Sequence, residues 1–175
     1  MSEALIDGVK IIPFKSFGDD RGYFFESFRR TWLPEARDMI QANTSFSKKG
    51  VLRGLHYHLK QADFWAVPVG HVRAALYDFR DWSPTYRTCQ TLDMGQKHPA
   101  GLYIPKGVAH GFCALEDSFM TYQVDEYYDN SDELGILWSD PTMGLDWGVT
   151  EPNLSKRDLQ NPLIADIPTD RRPRR

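Results

Sequence analysis

The sequence contains no long hydrophobic run and few cysteines, and each of these absences excludes a class of protein. No apolar stretch reaches the roughly 18 residues that a transmembrane helix needs. Residues 1–5 lack the basic start and apolar core of a signal peptide. Two cysteines among 175 residues make no disulfide framework, and free thiols are typical of a reducing compartment. We therefore expect a cytoplasmic protein that makes no membrane contact.

A strong excess of charge of either sign is also absent. The 21 Lys and Arg residues against 24 Asp and Glu residues give a formal net charge of -3, which provides no general attraction to nucleic acid. The exception is local, because residues 171–175 contain four arginines. We expect residues 169–175 to be a basic, disordered tail, since chain ends are rarely ordered and Pro173 interrupts regular structure.

Helical patterning is nearly absent, and short strand-like segments fill the chain. Only residues 31–41 place apolar side chains at helical spacing, which predicts one short helix there. Pro68 within the predicted strand 64–69 indicates that this strand lies at a sheet edge or carries a bulge. Regularly spaced short strands predict an all-β sandwich or barrel. No repeat or linker divides the chain, so we expect one domain over residues 1–168.

Two segments, residues 50–58 and 104–112, each bring a histidine to the end of a predicted strand among glycines. The histidines are His56 and His110. Imidazole is the one side chain whose ordinary pKa lies near neutrality, so it is suited to proton transfer or metal binding. A single histidine on a sheet face usually has a structural role, and the neighbouring motifs are what favour a functional one here.

Seven segments occur in the order found in the dTDP-4-dehydrorhamnose 3,5-epimerase family, and the chain resembles that family over nearly all its length. The segments are residues 17–26, 41–47, 50–57, 81–85, 104–112, 134–141 and 154–158. The resemblance implies an all-β cupin jelly-roll barrel with one or two short helices, usually assembled as a homodimer. It also implies an isomerase that takes a nucleotide-sugar substrate and uses no cofactor.

The implied reaction inverts carbon centres beside the carbonyl of a nucleotide-linked 4-keto-6-deoxysugar. A base removes the proton from C3 or C5 to give an enolate, and an acid reprotonates the carbon on the opposite face. The resemblance assigns the base to His56, its orienting partner to Asp158 and the acid to Tyr122. Without the family order, structural roles would be favoured, with Tyr122 as a core residue and Asp158 as a turn or helix-cap residue.

The resemblance also implies two groups of substrate-binding residues. Arg53 and His110 match positions that line the sugar pocket. A second group matches positions that hold the nucleotide and the diphosphate: Phe17, Arg21, Glu26, Gln41, Asn43 and Tyr127. An arginine fork suits a diphosphate, and an aromatic face suits a pyrimidine base.

Three positions depart from the family pattern: Asp63, Ala74 and His58, which stands where the family commonly has a glutamine. The family carries a lysine in the strand after the base, where it helps to hold the developing O4 oxyanion, and Asp63 stands there in this chain. An aspartate that supports this lysine is replaced by Ala74. Loss of one oxyanion donor typically costs about 3 kcal/mol in the reaction barrier. A carboxylate there would repel an enolate unless it were protonated or bound to metal, so we expect action at one carbon only or on a changed substrate.

Two other functions remain open from the sequence. His56, His58, Asp63 and His110 have a spacing that resembles the metal-binding motifs of cupins, and alternate residues of a strand face the same way. Three imidazoles and a carboxylate suit Fe, Mn, Ni or Zn, which makes a metal-dependent enzyme one alternative. The other is a paralogue that binds a nucleotide sugar without catalysis. The sequence does not choose the nucleotide base or the carbon that is inverted.

Overall fold

Twelve short strands supply nearly all the regular structure of residues 3–175, the part of the chain that the computed structural model describes. They are β1 (Lys10–Pro13), β2 (Phe17–Asp19), β3 (Gly22–Phe24), β4 (Gln41–Ser47), β5 (Leu52–Tyr57), β6 (Asp63–Val69), β7 (His71–Asp78), β8 (Cys89–Gly95), β9 (Ala100–Ile104), β10 (Val108–Ala114), β11 (Ser118–Val124) and β12 (Leu134–Gly135). One α-helix, α1 (Lys156–Leu159), and three single-turn 3-10 helices (Arg30–Trp32, Ile164–Asp166 and Thr169–Arg171) complete the set. Within these residues, no helix has the length and apolar character required to cross a membrane.

The strands form two five-stranded antiparallel sheets and one separate hairpin. Sheet I has the order β1-β9-β6-β11-β4, and sheet II has the order β12-β5-β10-β7-β8. The hairpin pairs β2 with β3 only. Successive strands from β5 to β12 mostly alternate between the sheets, so the chain winds around the barrel as a double-sheet jelly roll. This confirms the predicted all-β fold class.

The main core lies between the two sheets, because one face of each strand turns inward. On β7, Val72, Ala74 and Leu76 are fully buried, and on β8 Leu92 and Met94 point the same way. Side chains alternate between the two faces of a strand, so residues two apart enter the same core. Each fully buried aliphatic side chain of this size contributes about 1.5–3 kcal/mol through removal of apolar surface from water.

Part of the outer face of each sheet is covered by the long segments that flank the barrel strands. On sheet I, Phe64 packs with Phe14 and Leu33 of the N-terminal segment. On sheet II, Tyr77 and Cys113 pack in one cluster with residues of the segment 136–167. Cys113 and Cys89 are both free thiols. Because these segments pack on part of each outer face, they are held against the barrel and their polar residues have fixed positions.

The helix predicted over residues 31–41 is wrong. Only Arg30–Trp32 forms a single 3-10 turn, which ends at Leu33 with φ -127° and ψ 59°. Pro34 explains this end, because a residue before proline is disfavoured in the helical conformation. Leu33 is 1% exposed and packs on the outer face of sheet I. The apolar residues that suggested a helix are used instead to cover the sheet.

The position of Pro68 agrees with one of its two predicted explanations. Its strand β6 lies between β9 and β11, so it is not at a sheet edge. The register between β6 and β11 shifts between Phe119 and Thr121, which places a bulge beside Pro68. A bulge tolerates proline because the missing N–H is not required in the ladder. The hydroxyl of Tyr23 donates to the carbonyl of Pro68 and ties the β2–β3 hairpin to this bulge.

The C-terminal residues pack on the barrel, in contrast to the disordered tail that the sequence suggests. Tyr57 donates from its hydroxyl to the carbonyl oxygen of Arg171 over 2.8 Å. The guanidinium of Arg172 lies 5.8 Å from the ring centre of Phe79, and its Nε donates to the carbonyl of Ile167 over 3.0 Å. Pro173 is buried. A stacked guanidinium with satisfied donors gives this end an order that its composition does not indicate.

Candidate active site

A cavity of about 280 Å³ opens at one end of the barrel, between the inner faces of the two sheets. Its walls come from β4, β6 and β11 of sheet I, from β5 and β10 of sheet II, and from the segment 128–133. The volume is close to the roughly 300 Å³ at which small-molecule pockets begin. The cavity collects the polar residues of both sheets, whereas the core beside it is apolar.

His56 and Asp158 form a hydrogen-bonded pair at the wall made by sheet II. The two atoms, His56 Nε2 and Asp158 Oδ1, are 2.7 Å apart. The N-cap of α1 fixes the carboxyl group, because Ser155 Oγ accepts from the backbone N–H of Asp158 over 3.0 Å. Burial pushes the pKa of Asp158 upward, but the hydrogen bond and charge of His56 hold it below its ordinary value. Asp158 is therefore an acceptor, and His56 keeps its proton on Nε2 and a free lone pair on Nδ1.

Tyr122 lines the same cavity from the opposite wall. It lies on β11 of sheet I, whereas His56 lies on β5 of sheet II. Burial, followed by the charges of Asp63 and Glu133, raises the pKa of the Tyr122 hydroxyl. This hydroxyl therefore keeps its proton at neutral pH. An imidazole and a protonated phenol therefore face one space from two sides, and inversion of a carbon centre needs a base and an acid in such an arrangement.

Arg53 and His110, the two residues predicted to line the sugar pocket, both line this cavity. Arg53 is held by a 3.0 Å bond from its Nε to Ser47 Oγ. His110 lies opposite His56 in the register of β10 and β5 and is 5% exposed. Its Nδ1 lies 2.9 Å from the carbonyl oxygen of Val108. Burial lowers the pKa of His110 to about 4, although the charge of Asp63 opposes the shift, so this imidazole is neutral at neutral pH.

Asp63 stands inside the cavity, as expected from its place in the lysine position. It is 4% exposed and accepts from Trp65 Nε1 over 3.0 Å and from Gln61 Nε2 over 2.8 Å. His110 Nε2 lies 3.7 Å from its Oδ2. Ala74, the second departure, is fully buried in the core between the sheets. A carboxyl group therefore stands where the family pattern has a lysine. It accepts hydrogen bonds from two neutral N–H donors.

The predicted four-residue metal set is assembled only in part. His58, Asp63 and His110 each offer a ligand atom, and these three atoms lie within 4.8 Å of one another. His56 is not a member of this group and is paired instead with Asp158. The expectation of three imidazoles around one ion is therefore wrong. The reason is that His56 turns its Nε2 to the carboxyl group behind it.

The predicted nucleotide-binding residues divide into two groups. Gln41 and Asn43 of β4 line the cavity, and Gln41 Nε2 donates to Asn43 Oδ1 over 3.0 Å. The remaining four lie outside the cavity of this single chain: Phe17, Arg21, Glu26 and Tyr127. Phe17 and Tyr127 are 53% and 71% exposed. Arg21 pairs with Asp19 over 2.5 Å. Glu26 forms a surface ion pair with Arg29.

Two residues that the sequence analysis missed complete the mouth of the cavity. Tyr128 lines it, and its backbone N–H donates to Gln41 Oε1 over 3.2 Å. The hydroxyl of Tyr128 is 3.3 Å from Glu133 Oε2. Burial alone would raise the pKa of Glu133, but Arg157 holds it below its ordinary value. The sequence analysis named Tyr127, whereas its neighbour Tyr128 is the residue that lines the cavity. Nothing in the sequence marked Glu133.

Known proteins are similar to this chain in both sequence and architecture. The family model described as dTDP-4-dehydrorhamnose 3,5-epimerase matches residues 3–166. The chain is 38% identical over 169 residues to the dTDP-4-dehydrorhamnose 3,5-epimerase of Shigella flexneri, which covers 92% of this chain and 93% of that relative.

Two solved structures are also similar to this chain. One is the dTDP-6-deoxy-D-glucose-3,5-epimerase RmlC of Legionella pneumophila Philadelphia 1, in complex with dTDP-4-keto-L-rhamnose. It has a TM-score of 0.91 and 35% identity and covers 98% of this chain and 96% of that chain. The other is ChmJ, a 3'-monoepimerase of Streptomyces bikiniensis in complex with dTDP-quinovose, with a TM-score of 0.86, 28% identity and coverage of 94% and 88%. With the family model matched over most of its length, the chain belongs to the dTDP-4-dehydrorhamnose 3,5-epimerase family.

Proposed function

We propose that this protein is an isomerase that epimerises a dTDP-linked 4-keto-6-deoxysugar through an enolate. The observation that carries the proposal is the placement of His56 with Asp158 on one wall of the cavity and Tyr122 on the other. The similarity to enzymes named for this substrate class supports it. The thymidine nucleotide is proposed because the similar structures hold dTDP-sugars.

In this proposal, each of these residues carries out one step. The lone pair on Nδ1 of His56 takes the proton from a carbon beside the C4 carbonyl, and the electrons of that C–H bond move to O4. Asp158 stabilises the imidazolium that forms, because its carboxylate accepts from Nε2–H. Tyr122 then gives its phenolic proton to the carbon from the opposite face. The centre is inverted, and no redox change occurs.

We further propose that the enzyme inverts a single carbon or takes a modified sugar. Asp63 stands where an oxyanion-holding lysine is usual, and Ala74 removes the partner of that lysine. Similarity to ChmJ, a 3'-monoepimerase, supports the idea that this architecture can act at one centre. Which carbon exchanges is a direct readout of this proposal.

The test is solvent exchange with dTDP-4-keto-6-deoxyglucose in D2O, followed by NMR at C3 and C5. We expect deuterium at one of the two carbons and its loss in His56→Ala. His98→Ala is the matched control, because His98 is an exposed histidine outside the cavity. Binding of the nucleotide sugar without any exchange would refute the enzyme and favour the non-catalytic paralogue.

We also propose that the protein is a homodimer. Phe46, Val69 and Phe119 are 45%, 43% and 43% exposed and lie side by side on the outer face of sheet I. The nearby β2–β3 hairpin exposes Phe17 and Arg21, two predicted nucleotide-binding residues that do not reach the cavity of their own chain. A second copy placed on this face would cover the apolar residues and bring the hairpins toward the cavities.

A further inference from the structure

Two histidines in the cavity have the same hydrogen-bonding arrangement. His58 Nδ1 lies 2.8 Å from the carbonyl oxygen of Asp132, and His110 Nδ1 lies 2.9 Å from the carbonyl oxygen of Val108. A carbonyl only accepts, so each Nδ1 carries the proton and each Nε2 offers a lone pair. Metal-binding histidines commonly donate their second N–H to a backbone carbonyl, which fixes the tautomer and the orientation of the ring.

Both imidazoles lie close to the carboxyl group of Asp63. One ring nitrogen of His58, one ring nitrogen of His110 and a carboxyl oxygen of Asp63 lie within 4.8 Å of one another. His110 Nε2, which holds no proton in this tautomer, is 3.7 Å from Asp63 Oδ2. A lone pair directed at a carboxylate is unfavourable unless a cation lies between them. The spacing allows one ion to contact all three atoms.

The carboxyl group of Asp63 also lacks a permanent cationic partner. It is 4% exposed, and its hydrogen-bond donors are the neutral groups of Gln61 and Trp65. Within residues 3–175, its ion-pair contact is His110 alone. Buried carboxylates are usually paired with a positive charge or coordinate a metal. A cation bound at this position would explain why an acidic side chain is buried where the family pattern has a lysine.

From these three features we propose that His58, Asp63 and His110 bind one divalent first-row transition-metal ion inside the cavity. Two imidazoles and one carboxylate, with open positions toward the cavity, suit Zn²⁺, Fe²⁺ or Mn²⁺. Gln61 is the residue that must withdraw, because its Nε2 lies 3.3 Å from His58 Nε2 and 2.8 Å from Asp63 Oδ1. Trp65 can keep its bond to Asp63 and orient the carboxylate.

The site deepens the proposed epimerase function and, in its catalytic consequence, rests on it. His56, His110 and Asp63 line one cavity, so an ion at this site lies in the space where the ketosugar would bind. An ion held by His58, Asp63 and His110 would act as a Lewis acid toward O4 and would supply the positive charge that the lysine supplies in the family pattern. The proton still leaves to His56, and the ion changes neither its charge nor its oxidation state. Asp63, bound to the ion, no longer repels the enolate.

A second cluster provides an internal control for adventitious binding. The ligand atoms of His71, Asp93 and His98 also lie within 4.8 Å of one another. However, Arg73 already donates to Asp93 Oδ1 from its Nε over 2.9 Å, and His98 is exposed. A carboxylate neutralised by arginine is a poorer ligand. We therefore expect tight binding at the cavity cluster and not at this surface cluster.

The experiment is a calorimetric titration of the chelator-stripped full chain with Zn²⁺, without substrate. We expect one tight site in the wild type and in the control His98→Ala. Asp63→Asn and His58→Ala should weaken it by at least about 10- to 100-fold, the loss seen when a supporting residue of a metal site is removed. Gln61→Ala should bind Zn²⁺ at least as tightly as the wild type. The visible absorption of bound Co²⁺ should change in Asp63→Asn and remain the same in His98→Ala.

Specific outcomes overturn the site. Absence of tight binding in the wild type does so, as does a tight site that His98→Ala removes and Asp63→Asn retains. The melting temperatures of the metal-free variants show whether each one folds, and His58→Gln replaces His58→Ala if the latter does not. Deuterium exchange by stripped protein separates the two proposals. Exchange that is unchanged without metal overturns the role in holding O4 and leaves the epimerase intact. Tight Zn²⁺ binding without any exchange supports the site and removes the epimerase.

Discussion

His56 and Asp158 are 102 positions apart in the chain and 2.7 Å apart in space. Asp158→Asn keeps the size of the side chain but removes its charge and half of its acceptor capacity, so the imidazolium that forms during proton removal loses its partner. We expect kcat for deuterium exchange to fall by roughly 10²- to 10⁴-fold, the usual contribution of acid–base assistance. KM should change little, because Asp158 lies behind the histidine. An Asp158→Asn enzyme with wild-type kcat would contradict the pairing.

Tyr122 is predicted to act after the base, which gives its variant a distinct signature. Tyr122→Phe keeps the ring that packs against the barrel core and removes the proton donor. His56 can still take and return a proton on its own face. We therefore expect deuterium exchange without inversion, with product formation reduced by about 10²- to 10⁴-fold. NMR of the recovered sugar measures both quantities. Tyr86→Phe is the control, and equal loss of exchange and inversion in Tyr122→Phe would argue against its role as the acid.

Some of these residues could be placed from the sequence because their neighbours carry a strong pattern. His56, Arg53 and His110 lie in glycine-containing strand segments, and the structure brings them into one cavity. Glu133 could not be found in this way. It reaches the cavity only because the next two residues, Leu134–Gly135, pair with the strand that carries His56. Such long-range pairing has no local signature in the chain.

At the level of elements, the strands were predictable because alternation of buried and exposed residues follows from the geometry of a strand. The segment 31–41 was not, because its apolar residues recur at helical spacing although they cover a sheet. Pro34 is the local signal that opposes a helix at Leu33. The C-terminal segment differs for a similar reason. Its order depends on Phe79 and Tyr57, which lie far away in sequence.

The turn that follows β7 is held by a buried charge, the carboxyl group of Asp78. Asp78 is fully buried and accepts from Arg80 over 2.8 Å, from Ser83 over 2.6 Å and from Thr85 over 2.7 Å. Burial pushes the pKa of Asp78 upward, but these hydrogen bonds outweigh that effect and hold the pKa below its ordinary value. The folded state therefore binds this proton more weakly than the unfolded state. The stabilisation is present above about pH 4 and is lost as pH falls through the folded pKa.

This network predicts a stability effect with a pH signature. Asp78→Asn leaves Arg80 buried without its carboxylate, and breaking such a pair typically costs about 3–5 kcal/mol. Urea unfolding at neutral pH measures this cost. Toward acidic pH the difference between variant and wild type should shrink, because the wild type loses the same interaction. Asp81→Asn is the control at an exposed aspartate of the same turn. A difference that stays constant down to pH 3 would contradict the assignment.

At the scale of the whole molecule, the two-sheet architecture explains why His56 and Tyr122, the proposed base and acid, face each other. Residues of sheet I and sheet II enter one cavity from opposite sides, so a sugar ring between them presents one face to each wall. The same architecture separates the predicted nucleotide-binding residues within one chain. Gln41 and Asn43 line the cavity, whereas Phe17 and Arg21 lie on a hairpin that pairs with neither sheet.

The proposed dimer is therefore the feature of the whole molecule that needs a test. Phe119 lies 4.9 Å from Phe46 between ring centres and is paired with Val69 across β6, so a charge placed at Phe119 reaches the middle of this exposed apolar face. We expect light scattering to give twice the 20.2 kDa of one chain for the wild type and a monomer for Phe119→Asp. Burying a carboxylate without a partner in an interface costs several kcal/mol.

The monomer should also show a raised KM for the dTDP-sugar, because the hairpin carrying Arg21 no longer reaches a neighbouring cavity. Leu5→Asp, an exposed apolar position elsewhere, should remain dimeric. A monomeric wild type with full activity would remove both the dimer and the role of the hairpin.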